Sequence, residues 1–359
     1  MSDEVYRKLA KVLDALPSGF PSSEIGLEIK VLKKVFEPEE ADLFCDLRLS
    51  FETAQQIAER TGRPVEGLEG KLTDMLKKGQ IFGIDFGTVK VFRMVPWILG
   101  IWEFQLHRMD KELAELCAEY NALFFPQFFR NKPQLMQVIP VQKEIPNIQQ
   151  ALSYEQVSTI IENGKSFAVD DCICKKEQRL LGHDCKKPLE VCMRIAPVAG
   201  VFEKGEMGRP ISKEEAYDVL RKSEEAALVH LTHNLEAGQF FICNCCGCCC
   251  GPLKAINRLG IRDAINSHYY AEIDPDRCVA CGTCANERCQ VSAIEEGEGA
   301  YRVIKDRCIG CGLCVSTCPS EAIQLVHKRP EEIVLPPRDE MEWYERRGQG
   351  RGVDFSAYK

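Results

Sequence analysis

Residues 308–319 read CIGCGLCVSTCP: Cys308, Cys311, Cys314 and Cys318 stand at C-x2-C-x2-C-x3-C, with Pro319 directly after. Thirty residues earlier, Cys278, Cys281, Cys284 and Cys289 stand at nearly the same spacing. A short loop with a thiolate every third residue can wrap one face of an iron–sulfur cubane and bind three of its irons, but it cannot reach the fourth. The spacing therefore points to [4Fe–4S] clusters and one-electron chemistry.

The repeat extends beyond the cysteines. "IDPDRCVACGTC" aligns with "VIKDRCIGCGLC", and "CQVSAI" with "CPSEAI". This pattern resembles the bacterial two-cluster ferredoxins, in which the fourth ligand of each cluster comes from the other half of the repeat. The resemblance implies Cys278, Cys281, Cys284 and Cys318 for one cluster, and Cys308, Cys311, Cys314 and Cys289 for the other. Gly282 and Gly312 stand where the loop backbone must pack against sulfide, a place that glycine tolerates. One departure stands out. Four residues, not three, separate Cys284 from Cys289, and Gln290 stands where the motif has proline. Zinc knuckles use paired C-x2-C units rather than two triple runs.

The rest of the composition narrows the setting. At 359 residues the chain exceeds one ordinary domain. Its net charge of −8 argues against a general nucleic-acid binder. No apolar run is long enough to span a membrane. The chain starts MSDEVYRKLA without an apolar signal region, so its 20 cysteines point to a reducing cytoplasm and metal ligation rather than disulfides. So many thiols are easily damaged by oxygen, which suggests an anaerobic setting. Residues 1–171 hold only Cys45 and Cys117, both in helix-like patterns and read as small buried hydrophobes. The other eighteen lie between Cys172 and Cys318.

In the cysteine-poor front, residues 24–36, 38–47, 52–61 and 65–78 read as short amphipathic helices. Two apolar runs, "QIFGIDF" and "VKVFRMV", then suggest a hairpin. This order predicts a winged-helix-like domain over residues 1–96, with 65–78 at the recognition-helix position. Glu66, Glu69 and Asp74 offset Lys71, Lys77 and Lys78 there, whereas a groove-entering helix should be net basic. Docking is therefore the preferred reading over DNA binding. Residues 102–125 read as a long helix that Pro126 ends, with Trp102, Phe104, Phe124, Phe125, Phe128 and Phe129 as core or subunit contact. Together with the Pro-punctuated "NKPQLMQVIPVQKEIP" it makes a helix and connector over 97–150.

The remaining cysteines occupy a middle region, 151–267. "DDCICKKEQRLLGHDCKKPLEVCM" supplies Cys172, Cys174, Cys185 and Cys192; "ICNCCGCCCG" supplies Cys243, Cys245, Cys246, Cys248, Cys249 and Cys250. Ser212 and Glu215 between them make a capping box that opens a helix. Neighbouring side chains diverge, so six cysteines in eight residues cannot all bind one cluster. The ten thiols suit one or two further [4Fe–4S] clusters or a zinc site. Free thiols beside a cluster would be capable of thiol–disulfide chemistry. Lys175, Lys176, Arg179, Lys186 and Lys187 interleave the first set, where positive charge lowers thiolate pKa or recruits an acidic redox partner. His183, His230 and His233 are weaker ligand candidates.

The order of these motifs, with "GRPISKEEA" between the two middle stretches, resembles a family of anaerobic proteins that carry a 4Fe–4S dicluster domain. The resemblance covers most of residues 95–328 and implies electron transfer in anaerobic redox chains. The expected architecture is a multidomain α+β chain. A winged-helix-like domain precedes the cysteine-rich domain, a two-cluster ferredoxin-like domain over 268–328, and a charged tail over 329–359. The expected function is an electron-transfer protein, or the electron-transfer subunit of an oxidoreductase complex, serving redox partner proteins in the cytoplasm. One alternative is a reductase with a catalytic cluster or redox-active thiols at Cys243–Cys250; another is a redox-sensing DNA-binding regulator. No dinucleotide fingerprint occurs, so neither bound NAD nor flavin is expected.

Overall fold

The computed structural model describes residues 3–141, 157–203 and 207–359. They divide into two compact units. One gathers Met1–Asn131, Lys176–Asp184 and Tyr344–Lys359; the other gathers Lys132–Lys175 and Cys185–Trp343. No helix among the described residues is long and apolar enough to cross a membrane.

The first unit opens with helices Glu4–Ala15, Leu27–Val35, Pro38–Phe44, Ala54–Thr61 and Leu68–Lys77. The last four correspond to the four apolar-periodic stretches, with their ends trimmed by local chemistry. Pro38 takes the first turn, where its missing N–H costs nothing, and Thr53 caps the next helix by accepting from the Gln56 N–H. Strands β1 (Phe82–Asp85) and β2 (Lys90–Arg93) follow as an antiparallel hairpin, with Phe82 opposite Arg93. Cys45 and Cys117 are buried, and burial pushes the Cys45 thiol up to about 12, where it is inert.

The long helix runs Lys111–Phe128, later than the apolar spacing predicts. Asp110 sets its start by accepting from the Leu113 N–H at 2.8 Å. Pro126 does not break it. It lies in the last turn, two residues before the end, so little helix remains to be disrupted. Trp102, Phe124, Phe128 and Phe129 are buried, so most of the aromatic stripe is core, and the rings of Phe20, Tyr120, Phe124 and Phe128 follow one another at 4.7, 5.8 and 4.9 Å. The charged tail also folds. Helix Glu340–Arg351 buries Arg347, which donates to the carbonyls of Phe128 and Asn131, and Arg351 donates to Asp14 and Leu16.

The second unit is built on a sheet. Its strands are β3 (Met136–Val138), β4 (Ser166–Asp171), β5 (Glu190–Ala196), β6 (Arg209–Ile211), β7 (Val229–His233), β8 (Phe241–Cys245) and β9 (Ile265–Asn266). Among the described residues they lie in the order β6-β4-β5-β8-β7-β3-β9, antiparallel except for β3 with β9. Strand β3 comes from the Pro-punctuated stretch read as connector: an extended backbone becomes a strand once a neighbour offers hydrogen bonds. The rest of that stretch, from residue 142, lies outside the described residues. Helix Lys213–Glu225, capped by Ser212, lays Ala216, Val219 and Leu220 on Phe167, Val169, Met193, Ile195 and Ile242. The cysteine repeat sits between β10 (Tyr269–Ile273), β11 (Ile294–Glu296), β12 (Tyr301–Val303) and β13 (Ile323–His327). Strand β10 pairs with β13, and β11 with β12. The core here is small and partly sulfur: Tyr269, Ala271, Ile294, Ile323 and Leu325 pack with Cys284 and Cys314.

Candidate iron–sulfur and metal centres

The two halves of the cysteine repeat fold alike down to single dihedrals. Ala280 and Gly310 take φ of 52° and 59°, Gly282 and Gly312 take 77° and 80°, and Ser292 and Glu321 take 50° and 49°. A left-handed φ turns successive backbone N–H groups toward one side, the geometry that suits an anionic centre. The N–H of Ala293 reaches Cys289 Sγ at 3.1 Å, and the equivalent N–H of Ala322 reaches Cys318 Sγ at 3.3 Å. Ala271 donates in the same way to Cys308 Sγ at 3.3 Å.

These loops bring the thiols together across the repeat. Cys278, Cys281, Cys284 and Cys318 line one cavity, closed by Ile273, Tyr301 and Ile323. Burial raises the thiols of Cys308, Cys311 and Cys314, and the nearby Cys289 raises each of them further; Cys311 stands at about 12. A thiol in that state is a poor nucleophile, and a cation would draw off its proton on binding. Cys281 is the exposed member, held below the usual thiol range by the backbone of Thr283. Thiolates set around a cavity, with N–H groups aimed at sulfur, fit a [4Fe–4S] cluster.

The departure in the first half has a structural form. Cys284–Arg288 winds as a π-helical turn, and Cys289 N–H bonds to Cys284 O at 3.0 Å. In the second half Cys318 N–H bonds to Val315 O. The extra residue is absorbed as one wide turn, a usual way for an insertion to be housed. The buried Arg288 in that turn donates to the carbonyls of Leu313, Glu224 and Glu225. Gln290, in the place of proline, accepts from the Gly247 N–H at 2.9 Å. Its carbonyl accepts from Asn257 Nδ2, also at 2.9 Å. A Cβ on Gly247 would stand 2.2 Å from the Gln290 carbonyl oxygen, so glycine is required there. The irregular half of the repeat is thus the half that docks on the CNCCGCCCG run.

That run divides its own cysteines. Along β8 side chains alternate, so Cys243 and Cys245 face one side while Asn244 faces the other. Asn244 is buried, accepts from His230 Nδ1 at 2.5 Å and donates to Val191 O at 2.7 Å. Cys243 neighbours Cys192 and Cys245, Cys192 neighbours Cys172, Cys172 neighbours Cys174, and Cys245 neighbours Cys250. Beyond the strand the chain turns. Cys246, Cys248 and Cys249 join Cys185, and the four sulfurs lie within 4.8 Å of one another. The ten middle thiols therefore form one set of six and one of four.

Electrostatics follow this geometry. Hydrogen bonding to Cys192 holds Cys243 at about 5, and bonding to Cys249 holds Cys246 at about 5. Cys192 is pushed up by its bonds to Cys172 and then Cys243, and Cys249 by its bond to Cys246. Lys175, on helix Ile173–Leu180, is fully buried. Burial opposes its charge, yet Cys172, Cys246, Cys245 and Cys192 around it leave the ammonium pKa raised. Its ammonium donates to Asn244 O at 3.3 Å. The sequence flags Lys175 only by its position beside Cys174. His230 and His233 are buried on β7; His233 packs against the rings of Phe241 and Trp343.

Neither a curated protein nor a solved structure matches the chain. Residues 271–325 match the family model of the 4Fe-4S dicluster domain. The match covers both cysteine loops and supports iron–sulfur cluster binding by this part of the chain.

Proposed function

We propose that the chain is an electron-transfer protein of anaerobic metabolism, passing single electrons between a donor and a partner oxidoreductase in the cytoplasm. The observation that carries this reading is the duplicated cradle: two loops with matching left-handed turns and matching N–H···S bonds. Cys278, Cys281, Cys284 and Cys318 would hold one cluster, and Cys308, Cys311, Cys314 and Cys289 the other. Bound [4Fe–4S] clusters supply one-electron chemistry over a wide range of potentials. The protein's part is to bury the thiols, aim N–H groups at sulfur, and leave Cys281 at the surface for a partner. The helices and hairpin of the first unit serve as a winged-helix-like docking domain. Anaerobic iron and sulfide analysis with EPR of the reduced protein tests this: about 8 irons per chain from the two cradles is expected. A chain that purifies anaerobically with no cluster iron overturns it.

A reductase reading has one observation in its favour. Cys248 is exposed while Cys185, Cys246 and Cys249 around it are buried. A substrate-reducing thiol needs such access. Alkylation of Cys248 that abolishes disulfide-reducing turnover with the iron content intact would establish that reading.

A further inference from the structure

The sulfur spacing separates the middle cysteines from the cluster cradles. Four thiolates about 2.3 Å from one tetrahedral ion stand about 3.8 Å apart. Cys185, Cys246, Cys248 and Cys249 meet that figure: Cys185 to Cys246 is 3.9 Å, Cys185 to Cys248 3.6 Å, Cys246 to Cys248 3.4 Å and Cys248 to Cys249 3.6 Å. A cubane sets each thiolate on a different iron and spreads the sulfurs more widely. Among the described residues this is the one group of three or more candidate ligands packed so closely; the cradle thiols form no such group.

We propose that Cys185, Cys246, Cys248 and Cys249 bind a single tetrahedral metal ion, zinc or iron, and not a cluster. Four thiolates complete the shell of such an ion, the closed arrangement of structural sites. The ion ties the segment at Cys185 to the turn at Cys246–Cys249. That turn carries Gly247, whose N–H meets Gln290. Its role is to hold the docking face of the ferredoxin-like part rather than to carry electrons. The proposal deepens the electron-transfer reading and rests on it for the meaning of that face.

The test is metal and sulfide analysis of the full chain, purified anaerobically, beside Cys248→Ser. The expected result is about one ion beyond the cluster iron, with four sulfurs at about 2.3 Å by X-ray absorption. In Cys248→Ser that ion falls at least tenfold, while cluster iron and labile sulfide stay unchanged. Zinc and iron both support the proposal, and the analysis says which. Loss of about four irons with their sulfide, or no change in metal, overturns it. Should Cys248→Ser fail to fold, Cys248→His restores four ligands and is expected to keep the ion with one nitrogen and three sulfurs. A folded Cys248→His protein without the ion also overturns it. Absence of cluster iron from the wild-type protein would sink the electron-transfer reading instead and leave the four-sulfur ion standing.

Discussion

The cradle cysteines and the middle cysteines solve the same problem, anchoring metal, in opposite ways. In the cradles the thiols stand apart, with backbone N–H groups meeting Cys289, Cys308 and Cys318, on loops whose dihedrals repeat. In the middle the thiols touch each other, and mutual hydrogen bonds split neighbouring pairs into low and high partners. The difference lies in what supports them. The cradles hang on two short ladders and a core that includes sulfur. The middle thiols are fixed by a broad sheet with an apolar core of its own. The small core leads to the expectation that the first region needs its metal in order to fold, and the broad sheet to the expectation that the second does not.

Stripping iron and sulfide is the hardest test of this contrast. The cradle region, about residues 268–328, is expected to unfold on chelation, because metal binding and folding are one process in so small a core. The middle sheet is expected to stay folded. Hydrogen exchange followed segment by segment decides it; equal protection in both regions would erase the contrast. Next in size is Gly310→Ala. A Cβ there would stand 2.3 Å from Tyr269 O at a left-handed φ. About four irons should be lost from the cluster that Cys308 and Cys311 are assigned to hold. The equivalent position already carries alanine, so Ala280→Gly should cost less than about 1 kcal/mol.

Asn244→Ala probes the scaffold instead. It leaves the Val191 carbonyl and His230 without their buried partner, and should lower stability by about 2–3 kcal/mol without touching a sulfur. Denaturant midpoints at constant iron content measure this. The smallest effect is expected for Gln290→Pro, which restores the regular motif. It removes one hydrogen bond to Gly247, worth about 1 kcal/mol. The gap between the two cluster potentials should narrow; an unchanged gap in an EPR-monitored titration would show that the docking does not set it.

The cradles were legible because ligand spacing is local. Three thiols in seven residues dictate the loop, and the repeat shows it twice. The front helices were legible for the same reason, through their apolar period. The division of the middle thiols was not. It depends on strand alternation at Cys243 and Cys245 followed by a turn, and on Cys185, which lies 61 residues from Cys246. The burial of Lys175 and Arg347 was hidden as well. Both sit in charged stretches; the charge of Lys175 beside the thiols was legible but its full burial was not, and only tertiary partners make either burial tolerable. The extra residue before Cys289 and the missing proline at Gln290 were visible as exceptions, and they mark a contact.

A tandem duplication with perfect symmetry would offer an electron two indistinguishable stations. The wide turn at Cys284–Arg288 removes that equivalence. The irregular half is pinned through Arg288 to the carbonyls of Glu224 and Glu225 and through Gln290 to Gly247, while its own first loop presents Cys281 and Val279 at the surface. A single inserted amino acid thus gives one copy of a tandem repeat an anchor that its twin lacks.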